Sequence, residues 1–523
     1  MSEHAQPVEV TTSLGALRGA REDGLAVFRG IPFAAPPTGD RRFRAPAPHE
    51  GWQGVRDATT FGHAAPQPPR QQAASMFAGA FSAGDLDASE DCLNLNVWTP
   101  GADGAKRPVM VWIHGGGFRT GTGASPMYDG RTLATRGDVV VVTVNYRLGP
   151  VGFLYAEALG GANFGVLDQV AALLWVQREI AEFGGDPDNV TIFGESAGGK
   201  SVETLLATPA ADGLFKRAIV QSTYDPPMAL EQAKEAAAGY LNALGLAKAD
   251  PERLRALPLE DLIGAQVRLT EAAMAAGTAG VLGGGASFNP VVDGDVLPQH
   301  PLEALAGGAS SAVPLLIGTN LDEARLFGAM APGVADMDDA TLLARLASTL
   351  PEGDEQRARD MAEAYRAARE KRDERATPAD VWFAIQSDRM FRGHSVQVAE
   401  AHARHQPATY MYLFTHPTPL FEGALGACHA LEIPFVFGTH HGDLSPLTGK
   451  GAAVDTLATA MQDAWLAFAR SGDPNHKGLP VWPRFDANRR ATMVLGAQQD
   501  VAYGPLEAER RALVEATGTP TPA

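Results

Sequence analysis

The stretch Val190-Thr-Ile-Phe-Gly-Glu-Ser-Ala-Gly-Gly199 holds the only Gly-x-Ser-x-Gly of the chain. With 57 glycines in 523 residues, chance alone yields roughly 0.2 such patterns, so the pattern by itself decides little. Its context decides more. A short β-branched and aromatic run enters the turn, and a run of small residues leaves it at helical spacing. A strand–turn–helix corner of this kind forces its central residue, Ser196, into a strained backbone region with the hydroxyl clear of the sheet. Only small neighbours permit the corner to be so tight.

The same grammar recurs outward from this point. Val109-Met-Val-Trp-Ile113 runs into His114-Gly-Gly-Gly-Phe118, and Val139-Val-Val-Val-Thr-Val-Asn145 into Tyr146-Arg-Leu-Gly149. Ala218-Ile-Val220 runs into Gln221-Ser222, and Val313-Pro-Leu-Leu-Ile317 into Gly318-Thr-Asn320. Near-continuous apolar runs are strands buried on both faces, as in a parallel sheet covered by helices. Helical patterns at Asp168–Glu182 and Ala197–Ala207 lie between them, which predicts an α/β fold with a mostly parallel central sheet and helices on both faces. Two Ala-rich, charged stretches, about 230–308 and 338–404, interrupt the strand series and read as helical insertions roofing the sheet. Residues 67–87, rich in Pro, Gln, Ala and Gly, read as a loop. The whole chain, 1–523, reads as one domain.

Composition narrows the function. The chain is 45% hydrophobic and 20% charged, which excludes a disordered or fibrous protein. It carries 43 basic and 61 acidic residues, a formal charge of −18, which disfavours nucleic acid as a partner. Two cysteines, Cys92 and Cys428, exclude a disulfide scaffold. The opening MSEHAQPVEV has no basic or apolar leader pattern, and apolar runs such as Val170–Val176 are too short to span a bilayer. The expectation is a cytoplasmic enzyme without membrane contact. Whether it is a monomer or a dimer is not legible.

The serine corner needs companions. A serine hydroxyl is too weak an acid to attack unaided, so a histidine must take its proton. In this architecture the chain order is serine, acid, histidine. Gly318-Thr-Asn-Leu-Asp322-Glu323 offers two adjacent carboxylates after a strand, and spacing does not choose between them. Beyond them lie His394, His402, His405, His416, His429, His440, His441 and His476. His429 follows an apparent strand, Thr409–Phe414, in a loop, where an α/β sheet presents its chemistry. His440-His441 could be a metal pair, but no carboxylate or Cys spacing supports it. The glycines after His114 can turn their N–H groups toward a developing oxyanion, together with the N–H of Ala197.

At this point the residues resemble a known family. Phe28-Arg-Gly-Ile-Pro-Phe-Ala-Ala-Pro-Pro37, Arg42-Phe-Arg-Ala-Pro46, Glu90-Asp-Cys-Leu-Asn-Leu-Asn96, the stretch Phe183–Gly199, Phe468-Ala-Arg-Ser-Gly-Asp-Pro-Asn475 and Leu479-Pro-Val-Trp-Pro483 are similar to the signatures of the type-B carboxylesterases. These are the cholinesterase-like branch of the α/β-hydrolases, and within it the chain resembles the bacterial para-nitrobenzyl-esterase-like members. The resemblance implies Ser196 as nucleophile, Glu323 rather than Asp322 as acid, His429 as base, and an oxyanion hole from Gly116, Gly117 and Ala197. It implies that Glu195 is a structural anchor and that Ser222 stands near the acid. No cofactor or metal is implied.

The chain departs from the family pattern in places. The usual partner of Cys92 is replaced by Ala65, which makes Cys92 a free buried thiol. Lys200 replaces a small residue and places a charge near the sheet, and Gln221-Ser-Thr-Tyr224 replaces Gln-Ser-Gly-Ser.

The expected reaction is hydrolysis of a carboxylic ester through an acyl-enzyme, on a small-molecule substrate with a hydrophobic acyl or aryl group. An amidase or carbamate hydrolase would use the same triad, and a non-catalytic binding protein is the third alternative. Candidate pocket residues are Met76, Phe77, Phe81, Phe118, the segment 270–290, Leu326 and Phe327.

Overall fold

Alternation along the central strands sends neighbouring side chains into two different cores. Val109, Val111 and Ile113 enter one core, while Met110 and Trp112 enter the other. Leu315 and Ile317 oppose Leu316 in the same way. Strands buried on both faces cannot alternate polar with apolar, which is why they read as unbroken apolar runs.

The computed structural model describes residues 6–68, 86–224, 227–275, 288–328 and 333–518. Its strands are β1 (Pro7–Thr12), β2 (Gly15–Glu22), β3 (Leu25–Pro32), β4 (Val55–Asp57), β5 (Asn94–Thr99), β6 (Arg107–Ile113), β7 (Val140–Val144), β8 (Gly185–Glu195), β9 (Arg217–Gln221), β10 (Leu315–Asn320), β11 (Thr409–Phe414), β12 (Ala491–Leu495) and β13 (Gln499–Tyr503). They form one sheet in the order β1-β2-β3-β5-β7-β6-β8-β9-β10-β11-β12-β13, with β4 beside β2. The run from β7 to β12 is parallel. The outer strands are antiparallel, except β4, which pairs parallel with β2. Helices Phe164–Glu179 and Ala197–Leu205 cover one face, and helix Ala452–Ser471 covers the other.

β10 extends through Gly318-Thr-Asn320, which the sequence reads as the loop after the strand. Gly318 pairs with Gln221 on one side and Tyr412 on the other. A Cβ there would lie 2.3 Å from the Tyr412 ring, so the glycine marks a close side-chain approach and not a strand end.

Of the expected insertions, helices Leu230–Ala243 and Leu259–Ala275 fall in the first. In the second, helices Asp339–Ala347, Glu355–Lys371 and Pro378–Ser387 build a separate small core with Leu513 and Ala516 of the C-terminal helix. The helix Gly393–Ala403 is different. Its Val396, Val398, Ala399 and Ala401 join the sheet core.

Two of the quoted signatures meet in space. Arg42 grips Glu90 through two hydrogen bonds of 2.6 Å and donates to the carbonyls of Arg255 and Leu257. This buried fork ties the N-terminal segment to the first insertion. Residues 69–85, with Met76, Phe77 and Phe81, and residues 276–287 of the proposed pocket segment lie outside the described residues.

Candidate active site

The corner after β8 is strained where the sequence requires it. Ser196 has φ 57° and ψ −121°, a region that costs an ordinary residue of order 1–3 kcal/mol. Its N–H donates to Gln221 O at 3.0 Å, and its carbonyl accepts from Lys200 N at 2.8 Å. A Cβ on Gly198 would fall 2.0 Å from Ile113 O, and one on Gly194 would fall 2.5 Å from Gly198 C. Both glycines are therefore steric necessities of the corner.

The glycine loop after β6 packs against this corner. A Cβ on Gly115 would sit 3.2 Å from Ser196 Cβ. Gly116 and Gly117 have φ of 109° and 63°. The carbonyl of Gly116 accepts from Thr120 N at 3.1 Å and Arg119 N at 3.2 Å. The amide N–H groups of Gly116 and Gly117 meet no acceptor among the described residues, and a tight loop of this kind leaves its donors for a ligand. His114 is fully buried beneath the loop. It stacks on Tyr146 at 4.6 Å, and burial pushes its imidazole down to about 4. It is a neutral packing residue. Phe118 packs on Phe153 at 4.9 Å within the core.

The acid and the imidazole come from loops after β10 and β11. Glu323 is fully buried. Its Oε1 accepts from Ser222 Oγ at 2.6 Å and Asn320 N at 2.7 Å, and its Oε2 lies 2.6 Å from His429 Nδ1. Asp322 turns elsewhere: Oδ1 accepts from Arg325 Nε at 3.1 Å and Oδ2 from Ala427 N at 3.1 Å. The two adjacent carboxylates thus have different work. One faces the imidazole, and the other clips the histidine loop to the end of β10.

The other ring nitrogen of His429, Nε2, lies 3.1 Å from Oε1 of Glu195. No hydrogen bond joins Ser196 Oγ to the imidazole in this arrangement. Glu195, expected as a structural anchor, is thus in direct contact with the imidazole. Burial pulls His429 down, but the charges of Glu195, Glu323 and Glu432 outweigh it and push the imidazole up to about 9. Burial holds the Glu195 carboxyl well above the usual carboxylate range, with Glu432 and Glu323 adding to it against the pull of His429. Glu432 is anchored behind them by Gln221 Nε2 at 2.9 Å and Asn320 Nδ2 at 2.7 Å.

Two rings flank the imidazole. Phe391 lies 4.6 Å away and Phe327 5.2 Å away, centroid to centroid. Phe327 is among the pocket residues expected from sequence. Phe391 is not, because it is presented by a π-helical turn, Asp388–Arg392, which no periodicity reveals.

Lys200 is almost fully buried, and its ammonium lies 3.3 Å from both oxygens of Glu203. His394 Nε2 is 3.0 Å from the same two oxygens, and Thr223 Oγ1 donates to one of them at 2.5 Å. The departures at Lys200 and Thr223 are thus parts of one buried cluster. Both cysteines are buried and free. Among the described residues no helix is long and apolar enough to cross a membrane.

A family model described as the Carboxylesterase family matches residues 6–513. The chain is 38% identical to a para-nitrobenzyl esterase of Bacillus subtilis, over 97% of this chain and 99% of that one. It is 40% identical to a phenmedipham hydrolase of Pseudarthrobacter oxydans, over 94% and 95%. Among solved structures, a carboxylesterase of Geobacillus stearothermophilus superposes with a TM-score of 0.82 at 40% identity, covering 97% of this chain and 99% of that one. A para-nitrobenzyl esterase superposes with a TM-score of 0.81 at 39% identity, with the same coverage. These neighbours have the α/β-hydrolase fold, and the sheet described above is of that kind.

Proposed function

The chain belongs to the carboxylesterase family, and from that premise we propose that it hydrolyses small-molecule esters in two steps through Ser196, His429 and Glu323. Ser196 Oγ attacks the acyl carbon as its proton passes to His429 Nε2. The carbonyl oxygen becomes an oxyanion held by the N–H groups of Gly116, Gly117 and Ala197. Collapse breaks the bond to the alcohol, and His429 returns the proton to the leaving oxygen. A water, deprotonated by the same nitrogen, then attacks the acyl-enzyme and releases the acid. Glu323 keeps Nδ1 protonated and stabilises the imidazolium. Because Nε2 lies 3.1 Å from Glu195, arrival of the substrate must bring imidazole and hydroxyl into line, as in many free enzymes whose catalytic hydrogen bonds tighten only on binding.

The observation that carries this reading is a single imidazole bridging Glu323 and the residue next to the serine, from elements far apart in the chain. Phe327 and Phe391 beside that imidazole favour a hydrophobic acyl or aryl group. Burst release of p-nitrophenol from a short acyl ester tests the acyl-enzyme. Ser196→Ala should leave less than about one part in 10³ of the rate with the fold intact, and a near-normal rate overturns the assignment. A panel containing the corresponding amides and carbamates identifies the preferred bond.

A further inference from the structure

The pair His440-His441 lacks a carboxylate at metal-ligand spacing in the sequence, yet the fold supplies one. Asp455, in the first turn of helix Ala452–Ser471, faces both rings. Its Oδ1 lies 3.4 Å from His440 Nε2 and 3.6 Å from His441 Nε2, and the three ligand atoms all lie within 4.8 Å of one another. A tetrahedral zinc ion bound at about 2.0–2.1 Å separates its ligand atoms by about 3.3–3.4 Å. The two measured edges are near that value. They are long for hydrogen bonds.

His440 carries the argument further. It is only 5% exposed, and no well-formed hydrogen bond reaches either ring nitrogen, whose polar neighbours are Asp455 and the Pro434 carbonyl. Buried polar atoms are rarely left so, and each such atom calls for an explanation. The ring is already set in place. It stacks on Phe435 at 5.9 Å with 13° between the planes, and its backbone carbonyl accepts from Thr448 Oγ1 at 2.7 Å. The side chains of His441 and Asp455 are 68% and 51% exposed, so the open side of the cluster faces solvent, where water can complete the shell.

We propose that His440, His441 and Asp455 bind one zinc-like divalent transition ion, which staples the loop after the short helix Ile433–Phe437 to the start of helix Ala452–Ser471. Two imidazoles and one carboxylate select such an ion over Mg²⁺ or Ca²⁺, which prefer all-oxygen shells. None of the three residues belongs to the hydrolytic site. The ion's role is to fix the loop, not to take part in ester cleavage.

The test uses the untagged full-length enzyme, stripped with chelator and titrated with zinc chloride alone by calorimetry, with a thermal melt in parallel. One zinc per chain and a raised melting temperature are expected, with no displacement by magnesium. His441→Ala and Asp455→Asn alter exposed side chains, so each variant should fold and retain basal ester hydrolysis. Each should lose at least about tenfold in zinc affinity together with the thermal shift. Failure of the wild-type enzyme to bind zinc, or wild-type affinity in both variants, would overturn the proposal.

Discussion

Replacing Glu195 by Gln should move the acid limb of the pH–rate profile to lower pH. Only neutral imidazole can take the serine proton, so kcat/KM rises with pH through the His429 pKa. That pKa is about 9, because Glu195, Glu323 and Glu432 together overcome the effect of burial. Glu195 contributes the largest of those charges. Two unit charges 3.1 Å apart interact by about 5 kcal/mol at an effective dielectric of about 20, equivalent to about 4 pKa units. This is a ceiling. Burial holds Glu195 itself well above the carboxylate range, so its charge is fractional and a displacement of about 1–2 units is expected. Gln preserves the shape and a hydrogen-bonding oxygen, so the charge is the variable. The assay is kcat/KM for a short p-nitrophenyl ester in both proteins from about pH 5 to about pH 10, with circular dichroism confirming the fold. An acid limb that stays in place, or moves to higher pH, refutes the coupling.

Glu323→Gln should lower kcat by about 10³–10⁴, whereas Asp322→Asn should stay within about tenfold; equal losses would mean that the two carboxylates share one role. Gly116→Ala places a Cβ 2.2 Å from Thr120 O at a φ of 109°. It should cost about 10²–10³ in kcat with KM little changed, and an unaltered kcat would remove the loop from the oxyanion step. Glu203→Gln takes away the carboxylate that Lys200 and His394 share, and should destabilise the fold by about 3–5 kcal/mol. Urea denaturation measures this, and an unchanged midpoint would show that the cluster needs no anion.

Legibility in the sequence followed unbroken apolar runs. The parallel strands other than β12 were readable because residues buried on both faces leave continuous apolar runs, and Val190–Phe193 and Thr409–Phe414 sit in β8 and β11 as their patterns predict. The antiparallel strands β1 to β3 and β5 at the other edge went unread. β1 and β2 are partly exposed, and a mixed pattern over six to eight residues is weak evidence for a strand; β5 is buried throughout, but Asn94, Asn96 and Thr99 break up its apolar run. In the site, the serine corner was legible because its geometry excludes all but small neighbours. The choice between Asp322 and Glu323 was not legible from spacing, since neighbours in a loop can point anywhere, and came only through the family resemblance; in the fold the bonds of Arg325 and Ala427 N to Asp322 and the contact of His429 with Glu323 set the two apart.

A deeper limit is that a sequence shows substitutions one at a time, while energy couples them through space. Lys200 reads as an isolated anomaly, a charge placed at the sheet. In the fold it is one member of a set with Glu203, Thr223 and His394, the last nearly two hundred positions away. A lone buried ammonium would be expelled or neutralised, so its retention required the carboxylate, and the carboxylate in turn takes a contact from the His394 ring. The same logic applies to His440 and Asp455. Each residue is unremarkable alone, and the chemistry appears only when a loop is laid against the first turn of a helix. What the primary order conceals in this protein is therefore less the identity of its reactive groups than the company each one keeps.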